Sequence, residues 1–212
     1  MGGCEMKRYI IGTALALGLS CGASAAVIDF TGGSVNGTNA NHYEELGFQV
    51  DVTGSSGAFF GDYYGTGNDV IHAHWATGNY GNVTAITISQ IGGAAFDMNY
   101  FILTSNTDTG GGTASGNEKA WVQAIGGAND GYAQLLPVEN WGFPATQVFL
   151  GSQFDDVTAV KFYVTDAVDC FGMDEFYINE APPGALPEPA SLALMGLGIA
   201  GLGLSRRKPK KQ

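Results

Sequence analysis

An all-β fold, an antiparallel two-sheet sandwich of the jelly-roll kind, is what residues 26–181 predict, on three observations. Helical periodicity is almost absent. Short runs rich in β-branched and aromatic residues are separated by Gly, Asn, Asp and Ser clusters. Some runs alternate with period two: Val160, Phe162 and Val164 interleave with Lys161 and Tyr163, and Ile86 and Ile88 sit among Thr84, Thr87 and Ser89. Such runs bury one face and wet the other.

The elements follow in order. Strands are predicted at Val27–Phe30, Tyr43–Val52, Val70–Trp75, Val83–Gln90 and Ala95–Ser105. Five more are predicted at Ala120–Ile125, Tyr132–Leu136, Gln147–Leu150, Val157–Val164 and Phe171–Asn179. Ten short strands in this length suit a jelly roll. Thr31–Ala40, Gly61–Asn68, Asn106–Asn117 and Gly126–Gly131 are loops. Gly110-Gly111-Gly112 is a loop tip rather than a phosphate loop, because no Lys and no helix follow it.

The two ends read differently. Lys7 and Arg8 precede the apolar stretch Tyr9–Leu19, and Ala23-Ser24-Ala25 forms an Ala-x-Ala cleavage site. Residues 1–25 are therefore a signal peptide for the Sec machinery, with Met6 an alternative initiator to Met1. At the other end, residues 182–189 form a Pro-rich linker closing on Pro187-Glu188-Pro189. The uncharged run Ala190–Leu204 reaches ~22 Å as a helix against a ~30 Å hydrocarbon core. Residues 190–205 are expected to span the membrane with help from flanking residues. Residues 206–212 form a basic tail in which Arg206, Arg207 and Lys208 stop transfer on the cytoplasmic side.

This order of motif, apolar run and basic cluster resembles the PEP-CTERM sorting signal of Gram-negative bacteria. The resemblance implies transient anchoring in the inner membrane and cleavage by an exosortase at Pro187-Glu188-Pro189. It further implies a final place at the cell surface or outside the cell. A sortase signal is excluded, because Leu186-Pro187 continues as Glu188-Pro189 and not as x-Thr-Gly.

Residues 26–181 hold 18 of the 20 Asp and Glu residues but only Lys119 and Lys161 as cations, a net charge near −16. Such a surface repels nucleic acid and anionic lipid. Cys170 is the one cysteine of this body, so no disulfide can form within it. It is expected to be a small buried hydrophobe.

The body also resembles the jelly-roll domains found in PEP-CTERM proteins. The marks are Val27-Ile28-Asp29-Phe30, Tyr43-Glu44-Glu45-Leu46-Gly47-Phe48, Gly93-Ala94-Ala95-Phe96-Asp97-Met98 and Phe171-Gly172-Met173-Asp174-Glu175-Phe176-Tyr177-Ile178. In such domains a calcium ion often joins the first and last strands. That resemblance makes Asp29, Glu44 and Asp174 the candidate calcium ligands.

Two groups of residues carry other chemistry. His72 and His74, two apart on a strand, point to one face and could share a transition metal ion. No spacing supplies a third ligand, so the bland expectation is two histidines on an exposed strand face. Tyr63, Tyr64, Trp75, Tyr80 and Trp141 are candidate ligand-binding aromatics, since sugars stack on Trp and Tyr rings. No catalytic residue is assigned: there is no Gly-x-Ser-x-Gly elbow, and no carboxylate pair stands out. The expectation is an exported structural or adhesion protein of the cell surface or exopolysaccharide matrix. The alternative is a carbohydrate-binding module with a structural calcium, and the second alternative an unrecognised hydrolase.

Overall fold

The computed structural model describes residues 24–31, 37–38, 41–54, 58–65 and 67–180. Most of the expected signal peptide, the Pro-rich segment, the apolar run expected to span the membrane and the basic tail lie outside the described residues. Among the described residues no helix is long and apolar enough to cross a membrane.

The described chain is two antiparallel sheets and one 3-10 turn, Ser152–Phe154. The strands in order are β1 (Ala26–Ile28), β2 (Gly37–Thr38), β3 (His42–Glu45), β4 (Phe48–Thr53), β5 (Ala58–Gly61), β6 (Val70–His74) and β7 (Ala85–Gln90). They continue as β8 (Met98–Thr107), β9 (Lys119–Ile125), β10 (Ala133–Leu135), β11 (Thr146–Phe149), β12 (Ala159–Asp166) and β13 (Cys170–Ile178). One sheet runs β11-β8-β13-β6-β5-β2, with β1 also on β13; the other runs β10-β9-β12-β7-β4-β3. From β6 onward each strand crosses to the opposite sheet, except at the β9–β10 hairpin.

Two corrections concern strand limits. The run predicted as one strand from Tyr43 to Val52 is a hairpin, β3 pairing β4 around Leu46-Gly47. Both turn residues have positive φ, 48° and 82°, the backbone that a two-residue hairpin loop needs and that Gly adopts without strain. β5 was not expected, and its Phe59-Phe60 pairs with Ile71-His72 of β6.

The core lies between the sheets. Ile71, Ala73 and Trp75 project into it from β6 and the residue after it, and Phe171, Met173 and Phe176 from β13. Ile86, Ile88, Val160 and Phe162 meet them from the opposing sheet. Phe101, Phe162 and Phe176 pack as one ring cluster, with centroids 5.2–5.9 Å apart. Each such side chain contributes about 1.5–3 kcal/mol by leaving water. This inward set fixes the parity of β6 and β13, and so decides which residues face outward.

Candidate functional site

With Ile71, Ala73 and Trp75 committed to the core, alternation turns His72 and His74 to the outer face of the seven-stranded sheet. The β6–β13 register then sets Cys170 opposite His74 and Gly172 opposite His72. Cys170 Sγ lies 3.4 Å from His74 Nδ1. One ligand atom each from His72, His74 and Cys170 fall within 4.8 Å of one another. A third potential donor thus comes from the adjacent strand, 96 residues away.

The outer face here is not open to solvent, which corrects the expectation of two exposed histidines. His72 is fully buried. Tyr63 stacks on its ring at 4.1 Å and 7°, and Trp141 meets it edge-on at 4.8 Å. Tyr64 Oη lies 3.3 Å from His72 Nδ1, while His72 Nε2 has no hydrogen-bond partner. Tyr63 Oη lies 3.3 Å from His74 Nε2. Asp169, also buried, sets Oδ1 3.8 Å from His74 Nδ1, and that oxygen has no hydrogen-bond partner.

Tyr64 is held in turn by β8. Its hydroxyl lies 3.0 Å from Thr104 Oγ1 and donates to Ser105 Oγ at 3.4 Å. Gly172 makes room for it: a Cβ there would overlap the Tyr64 hydroxyl and lie 2.5 Å from Thr104 Oγ1. The glycine is needed for close approach, not for an unusual φ.

Burial sets the protonation of this cluster. It holds the His72 pKa well below the ordinary imidazole value, with His74 lowering it further, so His72 is neutral. Burial pushes the Cys170 thiol up to about 11 despite a backbone hydrogen bond from Gly111. A neutral imidazole is the ligating form of histidine, and the thiol ionises when a cation compensates its charge.

Above the cluster is an open depression of about 430 Å³, bounded by Tyr63, His74, Tyr80, Trp141, Cys170 and the Gly110-Gly111 backbone. Of the five aromatics singled out in the sequence, Tyr63, Tyr80 and Trp141 line it. Tyr64 lies beneath, its ring 4.8 Å from that of Trp141. Trp75 belongs elsewhere: it follows His74 by one residue, so it faces inward, fully buried against Phe171. A second depression of about 480 Å³, lined by Asp97, Asn99, Asp155 and Glu180 among others, contains no aromatic ring.

The candidate calcium ligands are not gathered. Asp29 Oδ1 accepts from the Thr31 amide and hydroxyl. Glu44 faces solvent beside His42, while its neighbour Glu45 turns inward and accepts from the Phe30 amide. Asp174 accepts from Asn68 through Oδ2 at 2.6 Å. Among the described residues, His72, His74 and Cys170 form the one group of three or more His, Cys, Asp or Glu placed to share an ion.

Two outer-face features were missed in the sequence. Asp169 was passed over because nothing local marks it as buried. Tyr100 and Tyr177 stack at 4.0 Å with Phe149 alongside, three strands' contributions that only the register unites.

Comparison with solved structures finds similar chains among carbohydrate-binding modules. A family 29 carbohydrate-binding module matches at 14% identity and a TM-score of 0.41, over 80% of this chain and 99% of that one. The CBM22-1 xylan-binding domain from Paenibacillus barcinonensis matches at 18% identity and a TM-score of 0.38, over 72% and 91%. No curated protein sequence matches the chain. The C-terminal segment, whose layout resembles a sorting signal, matches a family over residues 185–208: the chain carries the PEP-CTERM protein-sorting motif.

Proposed function

We propose that this protein adheres to a neutral polysaccharide at the cell surface or in the extracellular matrix, through the depression bounded by Tyr63, Tyr80 and Trp141. The sorting motif implies export and processing by an exosortase, with cleavage at Pro187-Glu188-Pro189. The body is read as a jelly roll, since its strands cross between sheets in that order.

One observation carries the reading: rings from three separate segments converge on one open depression next to polar His74. Sugars bind by laying an apolar ring face on an aromatic while nearby polar groups meet their hydroxyls. A net charge near −16 on residues 26–181 disfavours acidic glycans, which selects the neutral class. The depression's lining contains no carboxylate pair of the kind glycoside hydrolysis uses, so binding is proposed rather than cleavage.

Titration calorimetry against neutral polysaccharides, including those of the host's own matrix, tests this. Trp141→Ala should weaken binding about tenfold, a loss of ~1.4 kcal/mol. Tyr80→Ala should weaken it less, and Phe149→Ala not at all. Equal binding by the Trp141 variant would sink the assignment, as would no binding of any neutral polysaccharide.

A further inference from the structure

We infer that His72, His74 and Cys170 form a binding site for one thiophilic transition metal ion of the zinc class. The donors are two imidazole nitrogens and one sulfur, a set that suits zinc or copper and excludes calcium and magnesium. The three donors lie within 4.8 Å of one another; a tetrahedral ion holds such ligands roughly 3.5 Å apart, so closing on it takes a side-chain shift of about 1 Å.

The surroundings are those of ligands already oriented. Each imidazole has one nitrogen beside a tyrosine hydroxyl: Nδ1 of His72 at Tyr64, and Nε2 of His74 at Tyr63. The nitrogens left over are His72 Nε2, buried and without a hydrogen-bond partner, and His74 Nδ1, which faces the Cys170 sulfur. Metal-bound histidines normally use their second nitrogen in this way. An orphaned, fully buried imidazole nitrogen is costly unless something completes it, and an ion would do so. Asp169 lies beside His74, so a divalent ion held by the Cys170 thiolate would be balanced by a second carboxylate charge. On binding, the Cys170 Sγ–H bond breaks, the sulfur–metal bond forms, and the proton leaves to solvent.

His74 and Cys170 also border the open depression, so a three-ligand ion would keep its fourth position towards that space. The metal reading stands apart from the polysaccharide reading, because its test contains no glycan.

The protein as processed by its host, stripped of metal with chelator, is titrated with Co²⁺. A thiolate-to-cobalt charge-transfer band should rise and saturate at one equivalent. Zn²⁺ should abolish the band, while a large excess of Ca²⁺ or Mg²⁺ should leave it unchanged. Cys170→Ser should lose the band entirely. Tyr64→Phe should keep it with affinity weakened about tenfold or more, because it leaves the ligands and removes an orienting contact. Should Cys170→Ser not fold, His74→Gln, at the less buried ligand, replaces it, and Zn²⁺ should raise the melting temperature of the unaltered protein. No band, a band that persists in the Cys170 or His74 variant, or displacement by Ca²⁺ would overturn the site.

Discussion

The two faces of β6 make an instructive pair. Ile71 and Ala73 point one way and His72 the other, yet all three are fully buried. The inner face is buried by the opposing sheet, with apolar groups such as Ile86 and Phe162. The outer face is covered by Tyr63, Tyr64 and Trp141, aromatics from loops that lie over the sheet. Inside, burial is favourable for every atom removed from water. Outside, it encloses imidazole nitrogens, a thiol, hydroxyls and a carboxylate, each of which needs a partner. Such an arrangement lowers stability unless its polar atoms are completed, which is the ground on which we propose it as a site rather than a second core.

The sharpest way to break this comparison is Trp75→Ala. It empties the inner side of the strand just past the histidines and should cost about 3–5 kcal/mol, read from denaturant midpoints. The outer cluster would then fail only because the strand does.

A middle effect comes from Asp174, where β13's register shifts between Met173 and Phe176 and the inside–outside rule lapses. Burial raises its pKa from 3.8 to about 6, and Oδ1 has no hydrogen-bond partner. The folded pKa lies above the unfolded one, so the folded state binds the proton more tightly. This group's contribution is full below about pH 4 and is lost as pH rises through about 6. Asp174→Asn should therefore be more stable than the parent at pH 7 by about 1–2 kcal/mol and equal to it near pH 3. Melting curves of the two proteins across that range check the sign; a gap that widens on acidification would refute it.

The smallest effect should be Tyr64→Phe, which keeps the ring and removes the hydroxyl shared by His72, Thr104 and Ser105. We expect about 1 kcal/mol by chemical denaturation, far below the Trp75 loss.

Much of the body was legible in the sequence. The two-sheet, all-β form follows from short alternating runs, and the shared face of His72 and His74 from their spacing. The same parity argument places Trp75 opposite them, and applied consistently it would have removed Trp75 from the binding aromatics. It likewise separates Glu44 from the inward-facing Glu45. The hairpin at Leu46-Gly47 carried its signal in the glycine. Cys170 was different. Its place beside His74 depends on which strands pair and in what register, and no local pattern states that across 96 residues. The burial of His72 was hidden in part for the same reason: Tyr63 and Tyr64 lie just before it in the chain, but Trp141 reaches it from a distant segment.

β13 lies at the centre of its sheet, flanked by β8 on one side and by β6 and β1 on the other. Without it, β8 with β11 and β6 with β5 have no strand to join them, and β1 has no partner among the described strands. The final described strand is thus the keystone of the first. During vectorial passage across a membrane, amino end first, the chain has to stay open until residues 170–178 have emerged. The sorting motif, which implies export, begins only a few residues later, so in a chain exported amino end first the sandwich could close only as that motif follows.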